Sequence, residues 1–389
     1  MIDEGLRQFA TETQSKYMDA INKHGSLQKA ANATGVGRAA VKQAMARLRK
    51  AAAVRGYSPE HDMTHIAPDG FGIKRHSKNY DGDGQLRQEW VIMQPDAKNL
   101  ELMQESILAG MSAEIEGGST PVKAPVSTYE NMMTVYPMGD PHIGMYCWAA
   151  ESGNDFDSEI ATTQLTDAMR RLVAVSPPSK YALIANLGDF FHSDTLDNQT
   201  RRSGHALDVD TRMSKVWELG MKALITCIDE AKSKHELVTI RNEIGNHDDH
   251  TSMLLSIALD AWYKNDERVH VDRSPAKFYY LKFGKCLIGT THGDTAKIPK
   301  LPGIMAADQP ENWGKTLHRY WYTGHFHSSK VEEYPGVLVE QFRTLAAKDA
   351  WTAGAGYRAG RDMRCIVLNS EFGEVERHRV DIQQIEAAA

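Results

Sequence analysis

The sequence predicts a large α/β domain preceded by a small helical domain. Beyond about residue 130, short apolar runs recur, each of them ends in a polar motif, and a helical stretch at about residues 211–233 separates two of them. Such runs are typical of buried strands in an α/β sheet, whose functional residues gather beyond the carboxyl ends of the strands. With 389 residues, 41% of them hydrophobic, the chain can form one large core and an accessory domain.

The first 58 residues predict an α-helical helix-turn-helix domain. The three expected helices begin near residues 11, 26 and 38. Ser26 is the expected N-cap of the second helix. Ala31, Gly35 and Val41 have the spacing at which a small residue, a turn glycine and an inward-facing apolar residue join two such helices.

This N-terminal domain is basic, although the whole chain has a net charge of −6. Up to Arg55 it contains ten Lys or Arg residues against four Asp or Glu residues. Helix-turn-helix units bind DNA or serve in protein interaction and oligomerisation, and we favour DNA as the partner. The candidate phosphate contacts on the third helix are Arg38, Lys42, Arg47 and Arg49. A homodimer is a further expectation, because many helix-turn-helix proteins pair.

Residues 59–126 are expected to form a connector. A β-hairpin is predicted around the turn sequence DGDG at residues 81–84, followed by a helix-like stretch at about 98–116. The Gly/Ser/Pro-rich residues 117–127 are the best linker candidate. The α/β domain would then occupy residues 127–389.

Two classes of protein are disfavoured by composition. The chain has no run of eighteen apolar residues and begins with a polar stretch, so neither a transmembrane helix nor a signal peptide is expected. Its four cysteines are scattered without a CxxC pair, which argues against a disulfide framework and a zinc knuckle. We therefore expect a cytoplasmic protein without a membrane partner.

Five polar motifs offer ligands for metal ions. They are DPH (140–142), GD (188–189), GNHD (245–248), THGD (291–294) and GHFH (324–327). Carboxylate and amide oxygens suit hard divalent ions and imidazoles suit Fe, Zn and Ni, so the mixed set fits first-row metals, Mn included. If DPH and HFH are extended, their outer residues point to the same side and reach one metal cluster; if they bend, those residues can serve two neighbouring ions.

In this order, the five motifs resemble those of the calcineurin-like metallophosphoesterases, whose blocks are D-x-H, G-D, G-N-H-[DE], H and G-H-x-H. The resemblance covers about residues 134–380. It implies a four-layer α-β-β-α sandwich, in which two β-sheets are flanked by helices. It also implies hydrolysis of phosphoesters with two divalent metal ions, for which we favour manganese, with magnesium, iron, zinc or nickel as alternatives.

The resemblance assigns a role to each motif residue. The first metal would be bound by Asp140, His142 and His327, the second by Asn246, His292 and His325, and Asp189 would bridge the two. His247 would protonate the leaving oxygen or stabilise the transition state, since an imidazole can donate a proton near neutral pH. Asp248 would orient His247.

The block GDFFH resembles the GD-[LF]-F-H block of DNA double-strand-break-repair exonucleases of this family. Its histidine, here His192, would then help to place the scissile phosphodiester; the alternative is a packing role. The combination with a helix-turn-helix module resembles calcineurin-like proteins encoded by bacteriophages. Arg201 and Arg202, in the loop that follows GDFFH, either grip phosphate oxygens or belong to a solvated insertion.

These observations favour a DNA nuclease of exonuclease-like type. Two alternatives remain open at this point. One is a phosphatase or small-nucleotide phosphodiesterase that uses the same metals on a smaller substrate. The other is a DNA-binding regulator whose phosphoesterase domain is not catalytic.

Overall fold

The computed structural model describes residues 2–61, 63, 71–81, 85–95, 117–194, 198–200, 204 and 206–387. By their internal contacts, residues 1–109 and 110–389 form two separate units. Residues 117–126, which the sequence placed in the connector, therefore group with the larger unit. The helix expected at 98–116 lies outside the described residues.

Three helices form the smaller unit, close to the predicted positions. They are α1 (Glu12–His24), α2 (Leu27–Thr34) and α3 (Arg38–Val54). The Ser26 side chain caps α2 by accepting a backbone hydrogen bond in its first turn, as predicted. Gly35 ends α2 with a left-handed backbone (φ 72°), a conformation that glycine adopts without steric cost.

The three helices enclose a small core. Ala31 and Val41 are buried within it, together with Met18 of α1 and Leu48 of α3. A β-hairpin of β1 (Phe71–Tyr80) and β2 (Leu86–Pro95) follows, with antiparallel pairing. The hairpin prediction is confirmed, although residues 82–84 of its turn lie outside the described residues.

The larger unit contains two β-sheets. The first is built from β3 (Tyr129–Met138), β4 (Ser179–Asn186), β5 (Leu237–Asn242), β6 (Val269–Asp272), β12 (Asp362–Asn369) and β13 (Gly373–Asp381). The second is built from β7 (Tyr279–Phe283), β8 (Cys286–Thr291), β9 (His318–Thr323), β10 (Lys330–Tyr334) and β11 (Val337–Gln341). Their orders are β13-β12-β3-β4-β5-β6 and β10-β11-β9-β8-β7. Strands β3 to β6 are parallel, as are β8, β9 and β11.

Alongside the sheets, the described part of the larger unit contains α-helices. They are α4 (Ala149–Ser152), α5 (Ser158–Val175), α6 (Met213–Lys234), α7 (Thr251–Trp262), α8 (Leu301–Asp308), α9 (Pro310–Lys315), α10 (Ala350–Gly354) and α11 (Ile382–Glu386). Leu172 of α5 and Leu224 of α6 share a buried cluster with Ile184 of β4. Met305 of α8 packs in a separate cluster with Trp321 of β9.

A third cluster joins the two sheets to each other. Leu183 of β4 lies there with Ile288 of β8 and Tyr322 of β9. Because alternate residues of a strand face opposite sides, Ile184 faces the helices while its neighbour Leu183 faces the second sheet. This explains why the strands are continuous apolar runs in the sequence. The four-layer α-β-β-α prediction is confirmed.

The segment expected to be a flexible linker is attached to the larger unit. The backbone N–H of Gly117 donates to the carbonyl of Ala261 (2.8 Å), and that of Ser119 to the carbonyl of Trp262 (3.2 Å). Arg268 donates to the carbonyl of Val122 (2.9 Å). All four cysteines are buried and free. Among the described helices, none combines the length and apolarity needed to cross a membrane.

Candidate metal centre

All five motifs follow strands that end at the same edge of the two sheets. Asp140 follows β3, Asp189 follows β4, and Asn246 follows β5; His292 follows β8, and His325 follows β9. The parallel pairing of these strands within each sheet brings the loops together. The placement predicted from the sequence is therefore correct.

The backbone of these loops is bent, not extended. Among the described non-glycine residues, six have a positive φ, and five of them are expected ligands: Asp140 (45°), His142 (48°), Asp189 (49°), His325 (70°) and His327 (51°). Left-handed backbone is uncommon outside glycine, and it concentrates at functional sites. The extended alternative for DPH and HFH is wrong, because both outer residues of each motif lie in the left-handed region.

One group of donors consists of Asp140, His142 and His327. One ligand atom from each lies within 4.8 Å of the other two. The Nε2 atoms of His142 and His327 are 3.1 Å apart, and Asp140 Oδ1 is 3.7 Å from His327 Nε2. These are the three residues that the resemblance assigned to the first metal.

A second group consists of Asp189, His292 and His325, again with ligand atoms within 4.8 Å. His292 Nε2 lies 3.2 Å from both Asp189 Oδ2 and His325 Nδ1. The amide oxygen of Asn246 is 3.1 Å from the same nitrogen. The residues expected at the second metal therefore converge on one point. The geometry places Asp189 with this group, and its role as a bridge to the first group stays a prediction.

The charge states of His142 and His327 suit cation binding. Burial holds the pKa of His142 well below its usual value and lowers that of His327 to about 4, so both rings are neutral at pH 7. Neutral imidazole is the form that binds a metal. Burial disfavours protonation of His292 too, but the nearby carboxylates of Asp189 and Asp140 outweigh burial and raise the pKa of His292 to about 10. These carboxylates therefore favour a positive charge at this position. The donor set thus fits divalent cations, which would satisfy the converging lone pairs.

Two further histidines border the first group. His142, His192 and His247 also bring ring nitrogens within 4.8 Å of one another. The Nδ1 atoms of His192 and His142 are 3.2 Å apart, and His192 Nε2 is buried without a hydrogen-bond partner. Burial lowers the pKa of His192 to about 3. His192 is thus a neutral ring beside the donor groups, and its role in placing a phosphodiester stays a prediction.

The position of His247 is fixed by backbone groups. Its Nδ1 lies 2.8 Å from the carbonyl oxygen of His192, and its backbone N–H donates to Asp189 Oδ1 at 2.8 Å. The expectation that Asp248 orients the ring of His247 is therefore corrected. Asp248 instead accepts hydrogen bonds from the backbone amides of Asp189, Phe190, Phe191 and Gly245, at 2.8–3.3 Å.

The comparisons with known proteins found distant structural similarities alone. No protein-family model and no curated protein matches the sequence. Among solved structures, a predicted phosphoesterase from Streptococcus pneumoniae TIGR4 is 10% identical and covers 65% of this chain and 99% of its own (TM-score 0.26). An archaeal phosphodiesterase is 14% identical, with 64% and 99% covered (TM-score 0.33). A dimetal phosphatase from Danio rerio is 10% identical, also with 64% and 99% covered (TM-score 0.34).

Identities of 10–14% and TM-scores of 0.26–0.34 are too low to support a conclusion about this chain. What the chain can do chemically follows from its own side chains. Two groups of oxygen and nitrogen donors lie side by side, and His292 Nδ1 of one is 3.7 Å from Asp140 Oδ1 of the other. Side chains in this arrangement can hold two divalent ions next to each other.

Sequence reasoning missed residues that support the centre without belonging to a motif. Thr344, in the loop after β11, donates its hydroxyl to the carbonyl of Asp140 (2.6 Å). Asp194 accepts the backbone amides of His250 and Thr251, at the start of α7. A lone threonine or aspartate in a loop carries no signal of such a contact. The five motifs were recognisable because each follows an apolar strand.

Of the expected nucleic-acid contacts, those on α3 are described by the structure and those in the loop after GDFFH are not. Arg38, Lys42, Arg47 and Arg49 are all exposed on α3. Arg38, Lys42 and Arg49 are spaced by four and seven residues and so share one side of the helix, whereas Arg47 lies on another side. Arg49 also pairs with Glu60 at 3.2 Å. Arg201 and Arg202 lie outside the described residues.

Proposed function

We propose that this protein hydrolyses phosphodiester bonds in DNA with two divalent metal ions, and that its N-terminal helices contribute DNA affinity. The observation that carries the proposal is the pairing of two donor groups with His247 beside them. When bound, the ions would supply Lewis-acid charge that activates water and neutralises phosphate oxygens. Asp140, His142 and His327 would hold one ion, and Asp189, Asn246, His292 and His325 the other.

His247 is the candidate proton donor to the leaving oxygen. Because its Nδ1 faces the carbonyl oxygen of His192, that nitrogen carries a proton. Only the doubly protonated ring can then donate from Nε2, the nitrogen left free for substrate. The hydrogen bond from its backbone N–H to Asp189 fixes the backbone of His247 beside the second donor group.

The choice of a diester over a monoester rests on the resemblance of the GDFFH block, and His192 of that block has a nitrogen that could bond a phosphate oxygen. His192 presents a buried, neutral ring next to His142, and its Nε2 has no protein partner. A buried nitrogen without a partner is costly unless something else bonds to it. A phosphate oxygen of the substrate would serve as that partner, as the GDFFH resemblance implies.

Support for DNA as the substrate comes from the smaller unit. Three exposed basic side chains, Arg38, Lys42 and Arg49, lie on one side of α3. A helix carrying such a row is suited to phosphate contacts. Manganese is our first choice of metal, because the donors mix carboxylate and amide oxygens with imidazole nitrogens.

The test follows labelled duplex and single-stranded DNA incubated with the purified protein and Mn²⁺. We expect cleavage that EDTA abolishes and that His247→Ala reduces at least about a hundredfold. His250→Ala is the matched control, since this exposed histidine lies three residues further along the same loop. Cleavage by His247→Ala at the wild-type rate would remove that residue from the mechanism.

The product ladder separates exonuclease from endonuclease action. Bis(p-nitrophenyl) phosphate and p-nitrophenyl phosphate are assayed beside DNA. Intact DNA together with turnover of a small ester would refute the nuclease and support the phosphatase alternative. No turnover of any ester with a range of divalent metals would support the non-catalytic regulator.

A further inference from the structure

A group of exposed aromatic side chains lies close in sequence to the loops of the metal centre. Trp148, Trp351 and Tyr357 expose 59%, 64% and 53% of their surface. Trp148 immediately precedes α4 and Trp351 lies in α10, and these two short helices pack against each other. We term these three residues the aromatic platform. Adjacent exposed aromatic residues indicate a binding surface, whereas single ones do not.

The platform is held in place by its own loop. The rings of Trp351 and Tyr357 are stacked, with centroids 6.0 Å apart and an angle of 28° between their planes. The backbone N–H of Tyr357 donates to the carbonyl of Thr352 (3.1 Å). Arg358 donates to the carbonyls of Ala353 (3.0 Å) and Tyr357 (2.7 Å). These contacts fix two flat faces in the exposed loop.

The platform is tied to the metal centre through the chain on both sides. Thr344, which binds the Asp140 carbonyl, is six residues before α10. Six residues span at most about 22 Å, even when fully extended. On the other side, Trp148 is six residues beyond His142. At 3.4 Å or more per nucleotide along one strand, the maximum span of about 22 Å corresponds to about six nucleotides or fewer.

The charge of the patch is close to balanced. Arg358 and Lys348 are its cations, and Glu151 and Asp349 its anions. The Asp349 carboxylate is used within the patch, since it accepts from the backbone and the hydroxyl of Thr352. A surface of this kind attracts a ligand through its flat faces more than through its charge.

We propose that the aromatic platform binds unpaired bases of the nucleic-acid strand that occupies the metal centre. This inference rests on the proposed function and specifies its substrate as single-stranded DNA or a single-stranded end. Bases stack on aromatic side chains regardless of sequence, because every base has a π-face. Bases within a duplex are already stacked on each other, so only an unpaired segment can use the platform.

The test measures binding of a fluorescein-labelled twelve-nucleotide oligo(dT) to the full chain in EDTA, where no cleavage occurs. All variants are made in a background protein that carries Arg38→Gln/Lys42→Gln/Arg49→Gln and therefore lacks the basic row of α3. In it, Trp351→Ala and Tyr357→Ala should each weaken binding by about fivefold to a hundredfold. Phe372→Ala is the matched control, because Phe372 is 74% exposed and lies in the turn between β12 and β13.

Two outcomes overturn the platform: no binding of oligo(dT) by the background protein, or equal binding by the background protein and both aromatic variants. Wild-type turnover of DNA and of bis(p-nitrophenyl) phosphate with Mn²⁺ tests the proposed function separately. Loss of oligo(dT) binding in the aromatic variants, with no DNA cleavage by the wild type, would support the platform and refute the nuclease. DNA cleavage by the wild type, with unaltered oligo(dT) binding in the aromatic variants, would support the nuclease and refute the platform.

Discussion

The carboxylate of Asp248 accepts a hydrogen bond of 2.8 Å from the backbone N–H of Phe190, which lies 58 residues earlier in the chain. The same side chain accepts from the amides of Asp189 and Gly245. It therefore joins the loop after β4 to the loop after β5, and each of these loops carries an expected ligand. Asp248 positions the two loops relative to each other.

Replacing Asp248 by Asn should weaken metal binding. The new amide NH₂ would face backbone N–H donors where an oxygen now accepts them, so the two loops would separate. Supporting residues of this kind typically change metal affinity by about tenfold to a hundredfold. Competition with a chelating dye for Mn²⁺ measures the affinity. Asp381→Asn, which alters the cap of α11, is the control; equal loss in both variants would contradict the assignment.

The buried ion pair of Arg241 and Glu243 should be sensitive to the loss of one partner. Both side chains are fully buried, and two guanidinium nitrogens lie 3.0 Å from the carboxylate. Glu243→Leu would leave the buried guanidinium of Arg241 with Asp272, at 2.9 Å, as its remaining carboxylate partner, so the free energy of unfolding should fall by up to about 3 kcal/mol. The double variant Arg241→Met/Glu243→Leu should lose less. Urea unfolding measures both, and a larger loss in the double variant would refute this account.

His235 should make the fold sensitive to acid. Its ring lies between the hydroxyls of Tyr136 (2.7 Å) and Ser179 (2.8 Å), and burial lowers its pKa from 6.5 to about 4. The unfolded chain therefore binds a proton between pH 6.5 and 4 that the folded chain excludes. The stability due to the neutral ring is complete above pH 6.5 and is lost as the pH falls towards 4, by about 3 kcal/mol in total.

His235→Gln should remove most of this pH dependence, even if the variant is less stable at pH 8. Urea unfolding at pH 8, 6 and 5 measures the difference. His270→Gln, at an exposed position of β6, is the control and should retain the wild-type pH dependence. An unchanged slope in His235→Gln would assign the acid sensitivity to another group.

The basic row on α3 should bind DNA through phosphates. Each phosphate contact contributes about −0.9 to the slope of log affinity against log salt concentration for duplex DNA. Arg38→Gln/Lys42→Gln/Arg49→Gln should therefore weaken duplex binding and make the slope shallower by about 2.7. Lys16→Gln/Lys23→Gln, on α1, is the control. A shallower slope in the control alone would move the DNA-binding surface to α1.

Much of the fold was predictable because its signals are local. The N-cap Ser26, the left-handed Gly35 and the strands that run straight into polar motifs are all visible over a few residues. The expected ligands were recognisable for the same reason, and the structure brings their side chains together. Their grouping is now seen in contacts between distant residues, such as the backbone N–H of His325 donating to Asp140, 185 residues away (2.9 Å).

What sequence reasoning missed depends on packing between distant segments. Asp248 was expected to act on its neighbour His247, but its partners lie on another loop as well as its own. The hydroxyl of Thr344 reaches Asp140 only because β11 and β3 belong to sheets that pack face to face. The exposure of Trp148 and Trp351 depends on which faces of α4 and α10 are covered. None of these contacts has a sequence pattern of its own.

At the left-handed residues around the metal centre, the backbone conformation favours glycine, whereas metal binding requires a side-chain donor. Glycine would relax the backbone at Asp140, His142, Asp189, His325 and His327, and at each position it would remove a donor. Substitutions that raise thermal tolerance at these five positions are thus expected to abolish metal binding. A search for heat-resistant variants that does not also select for activity would therefore tend to erase the centre while preserving the architecture around it.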